Sequence, residues 1–136
     1  MKKLIFRGAG VAIVTPFTAD EINFPEFRRM IDHQIDHGTD AIIVAGTTGE
    51  AATMNDAEHK AAIKFAVETV RGRVPVIAGA GSNDTSYAIH LSQYSEQAGA
   101  DGLLLVTPYY NKCTQKGLVE HFRAIADSVS IPCILY

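Results

Sequence analysis

Short apolar runs alternate with longer amphipathic stretches along this chain, at a spacing that few folds accommodate. The runs cover residues 10–14, 41–45, 74–78, 102–106 and 131–136. They are rich in Val, Ile and Leu without polar alternation, which reads as strands buried on both faces of a parallel sheet. Their starts lie on average about 30 residues apart, the length of a strand–helix–strand unit. Helix signals fill the gaps. Asn23 with Glu26, and Asn55 with Glu58, have the spacing of capping boxes. Asn83 or Asp84 is placed to cap a third helix, and Thr114 a fourth that runs to about Ser128. Gly38, Gly72 and Gly99 stand where the first three helices should end. Phe24, Phe27, Ile31 and Ile35, and later Leu118, Phe122, Ile125 and Val129, recur at helical spacing and predict core-facing stripes.

The pattern predicts an α/β chain of four βα units plus a fifth strand. A doubly wound sheet and a (β/α)₈ barrel both use such units. The first strand leads into Thr15-Pro16-Phe17 rather than a GxGxxG turn, which disfavours the dinucleotide-binding version of the former. Weak internal similarity favours the barrel. Residues 38–44 resemble 99–105, and 74–77 resemble 131–134, each pair two units apart. In a barrel, alternate strands supply the same interior layer. A complete barrel takes roughly 250 residues. The 136 residues here are about half of that and stop at an apolar strand. The expectation is one partial TIM-barrel domain over 1–136, the N-terminal half of a barrel, with an open strand edge.

Several function classes are disfavoured. A net charge of −3 leaves no basic footprint for nucleic acid. The longest apolar runs are strand-sized, too short for a membrane helix. Lys2 and Lys3 before Leu4, Ile5 and Phe6 begin like a leader, but Arg7 ends the apolar run after three residues, so no signal peptide is expected. Cys113 and Cys133 have no CxxC spacing and read as ordinary thiols of a reducing cytosol. His33 and His37 are four apart without a third ligand, so no metal site is expected. Most of the histidines, with His59, His90 and His121, are expected on helix surfaces.

The active face of a barrel is built from the loops after the strand C-termini. After the second strand comes Gly46-Thr47-Thr48-Gly49-Glu50. Its glycines let backbone approach a ligand, and successive amides with threonine hydroxyls suit a carboxylate. A tight turn without a ligand fits the spacing too, and the absence of Gly-Lys-Ser/Thr argues against a phosphate loop. After the fourth strand comes Thr107-Pro108-Tyr109-Tyr110-Asn111-Lys112. Side-chain alternation sends the two tyrosines opposite ways, one toward the barrel mouth and one toward a neighbour. A tyrosine hydroxyl there can relay protons, or the pair can simply pack at a subunit contact. Tyr136 offers a further hydroxyl after the fifth strand.

These segments together resemble the dihydrodipicolinate synthase (4-hydroxy-tetrahydrodipicolinate synthase) family, as do residues 12–17 and 75–79. The combination of GTTGE with TPYYN favours it over N-acetylneuraminate lyase-like pyruvate aldolases, which remain the alternative reading beside a non-catalytic, self-associating half-barrel. The resemblance implies a class I aldolase-type lyase of lysine and diaminopimelate biosynthesis, acting in the cytoplasm. It condenses pyruvate with aspartate semialdehyde through a lysine Schiff base, without a metal or organic cofactor. It implies that Thr47, Tyr110 and Tyr136 form a proton relay, and that Thr48, with Thr47 and nearby amides, holds the pyruvate carboxylate. Tyr110 would reach into a neighbouring subunit's site, in a homodimer or homotetramer. Ala52, His59, Asn83 and Tyr109 match a lysine-effector cleft. Tyr87 departs from the glutamate common in lysine-sensitive members, removing a partner for lysine's ammonium. Cys113 departs from a common proline. No lysine is expected at an inner strand position, because Lys2 and Lys3 precede the first strand, Lys60 and Lys64 lie on the second helix, and Lys112 and Lys116 lie in or beside a loop. The chain by itself is therefore expected to be inactive.

Overall fold

A computed structural model describes residues 4–136; Lys2 and Lys3 lie outside the described residues. The elements follow in the order β1 (Gly10–Ala12), α1 (Phe24–Asp36), β2 (Ala41–Val44), α2 (Asp56–Val70), β3 (Val76–Gly79), α3 (Thr85–Gln97), β4 (Gly102–Leu105), α4 (Gln115–Ala126) and β5 (Cys133–Leu135). The five strands are parallel and stand in sequence order. A doubly wound sheet would reverse its strand order at a switch point. Here there is none, and the single winding is that of half a (β/α)₈ barrel. The helices pack in the same order, α1 on α2, α2 on α3 and α3 on α4.

Register assigns the two sheet faces. Ile42, Val44, Ala78, Leu103 and Leu105 face the helices and meet Phe27, Ile31, Ile63, Ala66, Leu91 and Ile125 in one core, all essentially without exposure. Ile43, Ile77 and Leu104 belong to the opposite face, with Ile43 opposite Ile77 and Leu104 opposite Ile134. Of these only Ile77 is fully buried. The expectation that every strand is buried on both faces therefore fails at β1 and β5, whose residues are exposed or half-buried. Edge strands have a neighbour on one side only.

The expected caps are present with one correction. Asn55 and Glu58 form a reciprocal box, the Asn55 amide donating to Glu58 Oε2 at 2.9 Å and the Glu58 amide to Asn55 Oδ1 at 3.0 Å. At α1 only half of the box forms. Asn23 Oδ1 accepts from the Glu26 amide, but the Glu26 carboxylate pairs with Arg29, three residues on, and the Asn23 amide donates to the Pro16 carbonyl. Asp84, not Asn83, caps α3, and Thr114 caps α4, which ends at Ala126.

The internal similarity has a structural counterpart. Asp40 Oδ2 accepts from the Ala9 amide at 2.8 Å, and Asp101 Oδ2 accepts from the Val76 amide at 2.8 Å. The Asp40 and Asp101 amides return bonds to the Ala9 and Val76 carbonyls, 2.8 Å each. Likewise Pro75 O accepts from the Ile42 amide and Pro132 O from the Leu103 amide. Each aspartate thus ties the start of an even strand to the odd strand before it.

Candidate active site

At the C-terminal ends of the strands lies a cavity of about 450 Å³. Ligand pockets for small molecules start near this size. Thr47 and Glu50 line it from the loop after β2, Gly79 and Ser82 from the end of β3 and beyond, Leu104 and Tyr109 from β4 and its loop, and Tyr136 from the end of the chain. Asp56 and His59 of α2 and Tyr87 of α3 complete the wall.

The loop after β2 folds into a tight turn. Gly46 O accepts from the Gly49 amide at 3.1 Å, and Thr47 O accepts from the Glu50 amide at 3.1 Å. Ala45 (φ 52°) and Glu50 (φ 61°) bracket it in the left-handed region, which is costly for residues with a Cβ. Thr47 and Thr48 are both exposed at its tip. Among the described residues, no hydrogen bond occupies their amides or hydroxyls. Neighbouring uncommitted N–H and O–H groups of this kind suit a carboxylate.

Tyr136 is held in place: its amide donates to Leu105 O at 2.9 Å, and its carbonyl accepts from the Thr107 amide at 3.1 Å. The two adjacent tyrosines do part company. Tyr109 lines the cavity, whereas Tyr110, at φ 71°, is 94% exposed and lies outside it. The cavity thus gathers Thr47, Tyr136, Ala52, His59 and Tyr109 from the expected site residues. Thr48 is outside the lining, next to Thr47 in the turn. Asn83 stands outside the lining and is engaged with Asn111, donating from Nδ2 to Asn111 Oδ1 at 3.3 Å and accepting from Asn111 Nδ2 on its own carbonyl at 2.8 Å.

Two histidines correct the expectation of surface positions: His59 is 3% exposed and His121 6%. His59 Nε2 meets Gly79 O at 2.8 Å, so the proton sits on Nε2. Burial is the main cause holding the His59 pKa below its usual value, against the opposing pull of the Gly79 carbonyl and Asp56. Burial lowers that of His121 too. A histidine buried neutral takes up its proton more readily when unfolded, so it contributes stability above the unfolded value of 6.5 that is lost as pH falls below it. The melting temperature is expected to fall as the solution is acidified through that value. His59→Gln, which keeps a donor for Gly79 O, is expected to flatten the fall; an unchanged pH profile in thermal melts would rule His59 out as its source.

Asp56 was not legible as a cavity residue in the sequence. Its carboxyl is held below its usual pKa, chiefly by the hydrogen bond from Lys60 at 2.8 Å, with the nearby Tyr87 hydroxyl acting in the same direction. Lys60 Nζ further contacts His90 Nε2 at 2.6 Å. The i,i+4 spacing of Asp56 and Lys60 was a readable signal; Tyr87 and His90 come from another helix.

A parallel, singly wound sheet with a cavity at its strand ends places the chain among proteins of the (β/α)₈-barrel class, whose sites lie at that face. The Dihydrodipicolinate synthetase family profile matches residues 5–136, and the chain belongs to that family. It is 61% identical over 136 residues to the 4-hydroxy-tetrahydrodipicolinate synthase of Acetivibrio thermocellus, covering all of this chain and 47% of that protein. The dihydrodipicolinate synthase of Aquifex aeolicus superposes with a TM-score of 0.94 at 49% identity, over 96% of this chain and 45% of that one. The Acinetobacter baumannii enzyme, solved with pyruvate, superposes with a TM-score of 0.94 at 45% identity, over 98% and 46%. The chain spans about half the length of the curated relatives it matches. Among the described residues, no helix is long and apolar enough to cross a membrane.

Proposed function

We propose that this chain supplies the carboxylate cradle and the proton relay of a 4-hydroxy-tetrahydrodipicolinate synthase, an enzyme that condenses pyruvate with aspartate semialdehyde through a lysine Schiff base. The observation that carries the reading is the turn after β2, whose Thr47 and Thr48 donors are uncommitted beside a cavity that Tyr136 also lines. The amides and hydroxyls of Thr47 and Thr48 bind the pyruvate carboxylate. Thr47 and Tyr136 pass protons between the reacting carbon and solvent, and Tyr110 completes the relay in a neighbouring copy. Its exposure outside its own cavity supports that assignment to a homo-oligomer. The high identity to a synthase and the solved pyruvate complex of a relative support the substrate. Of the residues that match the effector cleft, Ala52, His59 and Tyr109 line the cavity and Asn83 stands outside its lining. There Tyr87 replaces a carboxylate and Asp56 is engaged by Lys60, so lysine binds weakly.

Pyruvate titrated into the ¹⁵N-labelled chain is expected to shift the Thr47 and Thr48 amide resonances. Thr48→Val is expected to weaken binding roughly tenfold or more, the value of one hydrogen bond to a charged group. Amides that stay in place at saturating pyruvate would sink the reading.

A further inference from the structure

The turn that presents Thr47 and Thr48 is anchored from a different βα unit. Thr15, in the loop after β1, is 3% exposed, and its hydroxyl donates to the Gly49 carbonyl at 2.9 Å. Among the described residues this is the one side-chain hydrogen bond that reaches the 46–50 turn from another unit. The backbone leading to Thr15 is fixed in turn, because the Ile13 amide donates to Ile43 O at 3.1 Å and carries the β1–β2 ladder past Ala12. On its other side Gly49 is pressed against the end of β2. A Cβ there would lie 3.1 Å from Thr15 Oγ1 and 3.2 Å from the Ala45 Cα. Neither Thr15 nor Gly49 lines the cavity, so Thr15 does not touch a molecule bound in it.

We propose that Thr15 is a positioning residue for carboxylate binding, holding the 46–50 turn in the orientation that makes the Thr47 and Thr48 donors converge. The turn begins and ends on residues in the left-handed region, Ala45 and Glu50, and such backbone persists only where its surroundings hold it. The Gly49 carbonyl is the handle. Without the hydroxyl it is left as a buried acceptor lacking its partner, which drives the 49–50 peptide to turn toward another donor. Thr48 is the residue next to Gly49, so its amide and hydroxyl swing with it. This inference rests on the reading that the turn binds the pyruvate carboxylate.

The test is a pyruvate titration followed at the Thr47 and Thr48 amides of the 136-residue chain, as wild type, Thr15→Val and Thr15→Ser, each shown by circular dichroism to be folded at the temperature used. Valine keeps the shape and removes the hydroxyl; serine keeps the hydroxyl. Thr15→Val is expected to bind pyruvate about tenfold more weakly, corresponding to one lost hydrogen bond. Thr15→Ser is expected to stay within about twofold of wild type, because the bond to Gly49 O is retained. Thr15→Ala provides the same comparison if the valine variant does not fold. Equal weakening in the serine and valine variants would assign the effect to packing, and unchanged affinity in the valine variant would remove any role; either overturns the proposal. Wild-type chain that does not bind pyruvate overturns the carboxylate reading itself, and this inference falls with it.

Discussion

Incubated with pyruvate and then borohydride, the 136-residue chain is expected to gain no mass, because none of its described lysines is built to be a nucleophile. A Schiff-base lysine must be neutral enough to attack, which requires desolvation or a neighbouring cation, and it must reach the cavity. Lys60 is tied to the Asp56 carboxylate at 2.8 Å and does not line the cavity. Lys64 is exposed beside Glu68 on α2. Lys116 is exposed in the first turn of α4. Lys112 is exposed in the loop after β4, in the left-handed region, and also lies outside the cavity lining. None of these four stands on a strand. Intact mass followed by peptide mapping reads the result directly. An adduct confined to one lysine would overturn the reading, with Lys112 the first suspect. An adduct that forms only when the C-terminal half of a full-length relative is supplied would support a chain that carries the cradle and relay without the nucleophile.

Gly79→Ala is expected to be the most damaging single methyl group in the molecule, and Gly46→Ala, at the same cavity, nearly silent. Gly79 ends β3 where the backbone of the β2 loop crosses it. A Cβ at Gly79 would overlap the Ala45 carbonyl and sit 2.9 Å from the Gly46 amide nitrogen. These are backbone atoms and have no rotamer by which to yield. Overpacking of this kind costs about 3 kcal/mol or more, a large share of a stability of about 5–15 kcal/mol. The displacement would also carry Ala45 and the turn away from the cavity, and it would disturb the Gly79 carbonyl that His59 bonds. At Gly46 the added Cβ meets only side-chain carbons of Leu104 and Ile43, at 3.8 and 3.9 Å, an ordinary contact. Urea unfolding of the two variants decides the matter: equal midpoints would show that the β2 loop moves aside at little cost.

The contrast between these glycines marks the limit of what spacing conveys. Both belong to recognisable segments, Gly46 in the turn after the second apolar run and Gly79 at the end of the third. Only the crossing of one loop over another strand, 33 residues on, makes one indispensable and the other replaceable. The tyrosine pair shows the same limit. Alternation separates Tyr109 from Tyr110, and they do separate, but both lie beyond Thr107, whose amide makes the last ladder bond to the fifth strand, so strand pleat no longer sets their directions. The left-handed backbone at Tyr110 does. His59 is the third case. It lies on a helix whose polar residues are mostly outside, and nothing near it in the chain supplies the Gly79 carbonyl, 20 residues away, that makes its burial tolerable.

What the sequence by itself determined is the order of strands and helices, their caps, the half-barrel class and the turn that carries Thr47 and Thr48. Those features depend on apolar periodicity and on hydrogen bonds between residues three or four apart, and such interactions are written in consecutive residues. The tertiary structure alone decided which hydroxyls share a cavity, which histidines are buried, that Asp56 faces the site, and that the Thr15 hydroxyl bonds to the Gly49 carbonyl. Two of those outcomes, His59 on the Gly79 carbonyl and Thr15 on the Gly49 carbonyl, require a buried polar atom to find its partner on a different βα unit. That partner is set by strand register and helix packing across the whole sheet.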